Sequence, residues 1–222
     1  MTTRNDGAVF FDLDETLVDR RASVMRFAQR LWQEGEVHAE SESTFLNTFI
    51  ALDDNGRSPG PARFEALCAQ HLPHTNPHAL FERFRREAWV ETTLLPDAVS
   101  VLEAVAARGY RVGIVSNGSS ASQRAKIRNT ALRPWDEVAV ISGELGCKKP
   151  DPAIYLHALS MLDVAPENCW FVGDDAFNDV LGPATLGLRP IWVERHVGWP
   201  QQHAHAYVAR VTQLTEVLDV LP

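Results

Sequence analysis

The hydrophobic pattern of the chain changes after its first apolar run, Gly7-Ala8-Val9-Phe10-Phe11, which is typical of a buried strand. From about Leu17 to Thr92, apolar residues recur at helical spacing and no convincing strand is found. Four apolar stripes predict four helices, centred on Val24–Trp32, Phe45–Ile50, Phe64–Cys68 and Leu80–Ala88. Turn-forming residues separate these stripes. This segment is therefore predicted to be a small helical bundle.

From Pro96 onwards, apolar strands alternate with helices. Strands are predicted at Tyr110–Val115, Val138–Ile141, Cys169–Val172 and Ile191–Val193. A last strand within Tyr207–Val211 and a terminal helix over about Thr212–Leu221 follow. Alternation of this kind is typical of βαβ units with right-handed crossovers, and so of a parallel sheet.

The two patterns predict an α/β protein in two parts. Residues 1–17 and 93–222 form the parallel-sheet core, and residues 18–92 form a helical insert after the first strand. Open α/β sheets bind ligands at the carboxyl ends of their strands. The insert is therefore expected beside the ligand-binding edge of the core.

Composition excludes several classes of protein. The chain has 222 residues, of which 45% are hydrophobic and 23% charged, as in ordinary globular proteins. A net charge of −8 argues against a nucleic-acid partner, and neither a membrane span nor a signal peptide is recognisable. The three cysteines lack the spacing of a zinc site or disulfide framework, which favours reduced thiols and a cytoplasmic location. The expected assembly is a monomer or a homodimer.

Polar residues follow the first strand abruptly, in the order Asp12-Leu13-Asp14-Glu15-Thr16. Two carboxylates this close repel each other unless a cation or a proton shares the site. An oxygen-rich cluster suits a hard divalent ion, so Mg²⁺ is the predicted cofactor. Taken alone, the same residues are also compatible with an acidic turn and a helix cap.

Further polar groups lie at the ends of later strands. Ser116-Asn117-Gly118 follows the second core strand, and Gly173-Asp174-Asp175 follows the strand at Cys169–Val172, with Asp179 one helical turn later. Lys149 precedes a helix in the sequence Lys148-Lys149-Pro150-Asp151-Pro152. Each group alone has an ordinary structural explanation as a turn, a cap or a surface charge. If the strands are parallel, however, the groups converge at one edge of the sheet.

This set of residues suits phosphoryl transfer. One carboxylate can attack phosphorus and form an aspartyl-phosphate, while a second carboxyl group protonates the leaving oxygen and later activates water. The Ser116 hydroxyl and the amides near Asn117 and Gly118 can hold phosphoryl oxygens at a helix N-terminus. Lys149 supplies positive charge to those oxygens and to the nucleophile.

The chain resembles the haloacid dehalogenase superfamily over essentially its whole length. The resemblance rests on four motifs in order, which are Asp12-x-Asp14-x-Thr16, Ser116, Lys149, and Gly173-Asp174-Asp175 with Asp179. It implies a Rossmann-like core with a small, mobile α-helical cap, corresponding here to residues 18–92. For a phosphatase-like member it also implies a Mg²⁺-dependent reaction.

The resemblance implies a role for each motif residue. Asp12 is the expected nucleophile and Asp14 the general acid and base. Mg²⁺ is expected to bind Asp12, the Asp14 carbonyl and Asp174, with Asp175 or Asp179 supporting its water shell. The residues expected to bind the phosphoryl group are Thr16, Ser116, Asn117 and Lys149.

Several chemistries occur in proteins that resemble this chain. Dehalogenases lack the second aspartate of the first motif, so Asp14 argues against them, and phosphonatases need a cap lysine that residues 17–90 do not contain. A phosphomutase remains an alternative, as does a phospho-acceptor signalling domain. Hydrolysis of a small phosphorylated metabolite is the preferred interpretation. The candidates for contacting its leaving group are Arg20, Arg21, Arg57, Arg63 and His71, with Arg57 preferred.

Overall fold

A computed structural model describes residues 6–58, 60–196, 198–201, 203 and 206–222. The chain divides into two compact units, one comprising Met1–Val18 and Leu94–Pro222, the other Asp19–Thr93. Among the described residues, no helix is both long enough and apolar enough to cross a lipid bilayer.

The first unit is built on a six-stranded parallel sheet, which confirms the α/β, Rossmann-like fold. The strands along the chain are β1 (Ala8–Phe11), β2 (Val18–Asp19), β3 (Thr93–Leu94), β4 (Arg111–Ser116), β5 (Ala139–Ile141), β6 (Cys169–Gly173), β7 (Arg189–Val193) and β8 (Ala209–Val211). The order in the sheet is β5-β4-β1-β6-β7-β8, and every neighbouring pair is parallel. The first strand therefore lies between β4 and β6, near the middle of the sheet.

The apolar run of β1 is explained by burial on both faces of this sheet. Val9 and Phe11 pack into one hydrophobic cluster, whereas Ala8 and Phe10 pack into another. Successive side chains of a strand point to opposite faces, so a strand covered on both sides needs a continuous apolar sequence.

Helices connect the strands of this unit. They are α5 (Ala98–Ala107), α6 (Ser120–Arg128), α7 (Ser142–Leu145), α8 (Pro152–Leu162), a π-helical turn (Ala176–Leu181), α9 (Gly182–Ala184) and α10 (Val217–Val220). Side-chain caps define two of the helix starts. Ser119 accepts a hydrogen bond from the Ser122 N–H at the start of α6, and Asp151 accepts one from the Ala153 N–H at the start of α8.

The second unit consists of helices, as the apolar stripes predict. These are α1 (Arg20–Gln33), α2 (Glu42–Asp53), α3 (Gly60–His71) and α4 (Pro77–Glu87). Its core is aromatic, with the Phe27 and Phe84 rings 5.1 Å apart edge to face, and with Phe49 against both. Such contacts stabilise a small bundle beyond the apolar area they bury.

Two arginines of this unit are used internally, although the sequence made them candidates for contacting substrate. Arg20 and Arg63 both form ion pairs with Asp53, and all three side chains are almost completely buried. Arg20 also lies over the Trp89 ring, and Arg63 over the Phe84 ring. Their charges thus stabilise the helical unit itself.

Two details of the sequence prediction are wrong. Val18–Asp19 is a short strand that pairs with Thr93–Leu94, in a region where no strand was expected. The helix expected from Pro96 begins at Ala98, because Asp97 has a left-handed φ of 62°. The terminal helix expected over about Thr212–Leu221 is present, as a 3₁₀ turn, Leu214–Glu216, that continues into α10. Such short elements depend on contacts between distant parts of the chain, which cannot be predicted from local hydrophobic periodicity.

We expect Asp53→Asn to lower the free energy of unfolding by about 3 kcal/mol or more, since it removes the carboxylate that pairs with two buried guanidinium groups. Urea unfolding measures this change. The neighbouring Asp54 is exposed and provides the control, because Asp54→Asn should change the stability by less than about 0.5 kcal/mol. Equal stability of the two variants would contradict a structural role for the ion pairs.

Candidate active site

The carboxyl ends of three neighbouring strands bring the motif residues together. Asp12 directly follows β1, Ser116 ends β4, and Asp174 directly follows β6. The Asp12 N–H donates to the Val172 carbonyl at 2.9 Å, which continues the pairing of β1 with β6 to the edge of the sheet. The convergence expected from parallel strands is therefore observed.

Lys149 joins two of the aspartates. Its Nζ donates to Asp12 Oδ1 at 2.6 Å and to Asp179 Oδ1 at 2.7 Å, and its side chain is only 2% exposed. Burial alone lowers the pKa of Lys149, but the two carboxylates outweigh this effect and raise it. Lys149 is therefore a buried, permanently charged ammonium group beside the expected nucleophile.

An acidic cluster surrounds this ammonium group. Carboxylate oxygens of Asp12, Asp174 and Asp179 all lie within 4.8 Å of one another. Burial raises the pKa of Asp12 despite the opposing charge of Lys149. Burial also raises the pKa of Asp174 well above its ordinary value and that of Asp179 to about 7, with the other aspartates contributing repulsion.

This cluster fits a hard divalent cation. One lysine does not balance these three carboxylates, of which Asp12 and Asp179 are buried and Asp174 is partly buried, and the excess negative charge disfavours their full ionisation. Closely spaced carboxylate oxygens are also the ligands that Mg²⁺ prefers. The donor set and its charge at Asp12, Asp174 and Asp179 therefore fit a divalent cation such as Mg²⁺.

The geometry distinguishes between Asp179 and Asp175. Asp179 belongs to the acidic cluster, whereas the Asp175 carboxylate accepts hydrogen bonds from the Phe177 and Asn178 N–H groups at 3.0 and 2.9 Å. Asp175 thus caps the π-helical turn, and Asp179 Oδ2 accepts from the Asp175 N–H at 2.9 Å. π-Helical turns are often found at functional sites.

Gly173 is required by close packing. A Cβ atom built at this position would lie 2.4 Å from Cγ of Asp179, which is too close for any side chain. The absence of a side chain at Gly173 therefore lets Asp179 approach the end of β6. This is the physical reason for a glycine before Asp174.

Two of the expected phosphate-binding residues have distinct surroundings. The Thr16 hydroxyl is buried, and its Oγ1 has no hydrogen-bond partner within the described part of the chain. The Asn117 side chain donates to the Lys149 carbonyl at 3.0 Å and accepts from the Lys149 N–H at 2.8 Å. Since the Asn117 side chain holds the Lys149 backbone, the prediction of phosphate binding concerns the backbone amide of Asn117.

Two residues at this edge were missed by sequence reasoning. The first is Lys126, whose Nζ lies 2.7 Å from both carboxylate oxygens of Asp14. The second is Gln123, whose Nε2 lies 3.0 Å from Asp14 Oδ2 and 2.6 Å from Ser116 Oγ. The one available signal was composition, because the chain has only three lysines and many arginines. A lysine inside a helix is otherwise expected at the surface.

The preferred specificity candidate, Arg57, lies in the helical unit. It is exposed and follows the 3₁₀ turn Asp54–Gly56, with its N–H donating to the Asp54 carbonyl at 3.0 Å. Its role in contacting substrate stays a prediction.

Comparison with known proteins identifies relatives of this chain. The profile of the haloacid dehalogenase-like hydrolases matches residues 7–187. Pyrimidine 5'-nucleotidase YjjG of Escherichia coli is 36% identical, over 85% of this chain and 86% of that enzyme. Phosphoserine phosphatase of Thermus thermophilus is 33% identical over 75% of this chain, which spans only 60% of that enzyme's length.

Two further similarities bear on the fold and on the chemistry. The magnesium-bound structure of the HAD-hydrolase YfnB from Bacillus subtilis has a TM-score of 0.78 at 20% identity, with 99% of both chains covered, and so supports the fold. (S)-2-haloacid dehalogenase 4A of Burkholderia cepacia is 27% identical, over 96% of this chain and 94% of that enzyme. The relatives thus include both phosphatases and dehalogenases.

The raised pKa of Asp179 leads to a test of the metal site. A carboxyl group whose pKa is raised by folding stabilises the fold while it is protonated, and this contribution is lost as the pH rises through about 7. We therefore expect Mg²⁺ to raise the Tm more at about pH 8 than at about pH 6, because the cation replaces the proton. Differential scanning fluorimetry in EDTA or in Mg²⁺ measures this difference.

Asp179→Asn is the matched variant for that measurement, since it removes one titrating carboxyl group, and with it one proposed Mg²⁺ ligand, but keeps the size of the side chain. In this variant the Mg²⁺-induced rise in Tm, and its difference between the two pH values, should both be smaller than in the wild-type protein. A Mg²⁺ shift that is equal at both pH values in the wild-type protein would contradict the assignment.

Gly173→Ala should weaken Mg²⁺ binding, because the new Cβ displaces the Asp179 carboxylate. A loss of about tenfold or more in affinity is expected for a disturbed metal shell, measured as the Mg²⁺ concentration needed for half of the Tm shift. Gly198→Ala is the control, because among the described residues, its chain neighbours apart, no atom lies within 4 Å of a Cβ built there. Unchanged Mg²⁺ affinity in Gly173→Ala would contradict the packing argument.

Proposed function

Because the chain belongs to the haloacid dehalogenase-like hydrolases, we propose that it hydrolyses a small phosphomonoester through an aspartyl-phosphate on Asp12. One observation carries this proposal. Asp12 is held by a buried ammonium group next to an acidic cluster, and a second carboxylate, Asp14, follows two residues later. The phosphatases and the nucleotidase among the relatives support the same reaction class.

The first step transfers the phosphoryl group to the protein. An Oδ atom of Asp12 attacks phosphorus, a new O–P bond forms, and the bond between phosphorus and the ester oxygen breaks. Asp14 donates a proton to the departing oxygen, so that the alcohol leaves as a neutral molecule. Lys149 remains charged throughout and attracts both the Asp12 carboxylate and the phosphoryl oxygens.

The second step releases phosphate. A water molecule attacks the phosphorus of the aspartyl-phosphate, Asp14 accepts a proton from that water, and the O–P bond to Asp12 breaks. The products are inorganic phosphate and the free Asp12 carboxylate. Asp14 is then protonated and ready for the next substrate.

The remaining residues bind and neutralise the phosphoryl group. When bound by Asp12, Asp174, Asp179 and the Asp14 carbonyl, Mg²⁺ supplies positive charge that offsets the repulsion between nucleophile and phosphate. Thr16, Ser116 and the Asn117 backbone amide bind phosphoryl oxygens in this proposal. The Thr16 hydroxyl, which is buried and has no hydrogen-bond partner among the residues that the structure describes, supports this, since a phosphoryl oxygen would satisfy it.

The dehalogenase relative suggests a competing reaction, cleavage of a carbon–halogen bond. A halide leaves as a stable anion and needs no proton, so a second carboxyl group beside the nucleophile has no task in that departure. A phosphoester leaving group does need a proton. The presence of Asp14, held by Lys126 and Gln123, therefore favours the phosphatase.

The helical unit is proposed to act as a cap that selects the leaving group, with Arg57 as the residue that contacts it. The substrate class is a small phosphorylated metabolite, and two of the named relatives are a pyrimidine 5'-nucleotidase and a phosphoserine phosphatase. There are two alternatives. One is a phosphomutase, which transfers phosphate within one molecule. The other is a signalling domain, which keeps a long-lived aspartyl-phosphate.

Asp12→Asn should lower phosphatase activity by about three orders of magnitude or more, since the amide is a poor nucleophile. Release of 4-nitrophenol from its phosphate ester, with Mg²⁺ or with EDTA, measures this loss, and circular dichroism checks the fold. Asp219→Asn, at an exposed position near the C-terminus, is the matched control and should retain full activity.

The same assay distinguishes the alternatives. Halide release from a 2-haloacid without phosphatase activity would overturn the proposal in favour of dehalogenation. An aspartyl-phosphate that persists for many minutes would favour a signalling domain, and isomerisation of a sugar phosphate without phosphate release would favour a mutase.

A further inference from the structure

Gln123 and Lys126 form a buried polar link between two groups of the proposed active site. Both lie on α6, and they are 2% and 1% exposed. Gln123 Nε2 contacts Ser116 Oγ at 2.6 Å and Asp14 Oδ2 at 3.0 Å, while Gln123 Oε1 accepts from Lys126 Nζ at 2.7 Å. Positions 123 and 126 are one helical turn apart, so their side chains share a face.

The direction of each hydrogen bond in this link is determined by chemistry. An ammonium group only donates, so the Gln123 atom that contacts Lys126 must be its carbonyl oxygen. The amide nitrogen of Gln123 is thereby turned towards Ser116 and Asp14, where it donates to both. Lys126 thus fixes which end of the Gln123 amide meets the serine.

This polarity has a consequence for the serine hydroxyl. Ser116 Oγ accepts a hydrogen bond from Gln123, so the contact does not use the hydroxyl proton. That proton is directed to another acceptor, and an anionic phosphoryl oxygen is a strong one. If the amide were reversed, its carbonyl would instead accept the serine proton.

Lys126 also restrains Asp14. It contacts both carboxylate oxygens at 2.7 Å, and Gln123 adds a contact to Oδ2. The Asp14 side chain is 22% exposed, whereas the Lys126 side chain is 2% exposed. The buried Lys126 ammonium group therefore holds the more exposed Asp14 carboxylate in a single orientation.

We propose that Gln123 and Lys126 are positioning residues that direct the Ser116 hydroxyl proton towards the phosphoryl group and hold the Asp14 carboxyl group towards the leaving oxygen. This inference rests on the proposed phosphatase function. Neither residue touches the substrate in this assignment. They act through Ser116 and Asp14.

The first test reverses the polarity at position 123. In Gln123→Glu the new carboxylate accepts the Ser116 proton, whereas Gln123→Met removes the polar contacts and leaves that proton available. Affinity for inorganic phosphate, measured as its inhibition constant, should fall in the order wild type, Gln123→Met, Gln123→Glu, with a loss of about tenfold or more in the last.

A double-mutant cycle separates this effect from simple repulsion by the added charge. In a Ser116→Ala background, the change from Gln123 to Glu should cost much less phosphate affinity, because the hydroxyl is absent. An equal loss with and without the Ser116 hydroxyl would overturn the polarity argument.

The second test concerns Asp14. Lys126→Met should lower kcat for an alkyl phosphate at least about tenfold more than kcat for 4-nitrophenyl phosphate, because only the alkyl leaving group depends strongly on a well-placed acid. Lys126→Arg keeps the donors and should restore most of the loss. Arg128→Met is the matched control, since Arg128 lies on the same helix and is exposed.

Urea unfolding of each variant separates loss of stability from loss of positioning. If Lys126→Met does not fold, Lys126→Gln keeps one donor and provides the same comparison of substrates. Equal loss of kcat for both substrates, in a folded variant, would overturn the inference. Wild-type protein without any phosphatase activity would instead overturn the proposed function, and the inference with it.

Discussion

The arrangement of the active site depends on the ion pairs of Lys149 with Asp12 and Asp179. Three carboxylates this close repel each other, two of them are buried, and without a buried cation the site would be strongly disfavoured. A single lysine reduces this repulsion but does not cancel it. The remaining excess of negative charge makes the cluster a candidate site for a divalent cation. The same carboxylates raise the pKa of Lys149 and so keep it protonated.

The sheet makes this pairing possible. Lys149 and Asp12 are 137 residues apart in sequence, and they meet because β1 lies in the middle of a parallel sheet whose strands end at one edge. Supporting contacts then fix the loops. Asn117 holds the Lys149 backbone, Asp175 caps the π-helical turn, and Gly173 leaves space for Asp179. Asn117, Asp175 and Gly173 therefore position the residues that are proposed to react or to bind the metal.

Buried charge recurs in both units with different consequences. In the helical unit, Arg20 and Arg63 each pair directly with Asp53, so these buried charges are engaged within the unit. At the sheet edge, Lys126 binds Asp14, while Asp12, Asp174 and Asp179 outnumber Lys149. Several carboxylates gathered around one ammonium group mark a candidate binding or catalytic site. This contrast explains why Arg20 and Arg63 were poor candidates for substrate contact.

The sequence by itself determined the α/β class, the helical insert and the positions of Asp12, Ser116, Lys149 and Asp174 at strand and helix ends. These features follow from local periodicity and from the switch to polar residues where a buried strand ends. Only the tertiary structure decided that Asp179 joins the acidic cluster while Asp175 caps a turn, and that Lys126 and Gln123 lie buried beside Asp14. Partners of this kind are set by distances between segments far apart in the chain, which no local pattern encodes.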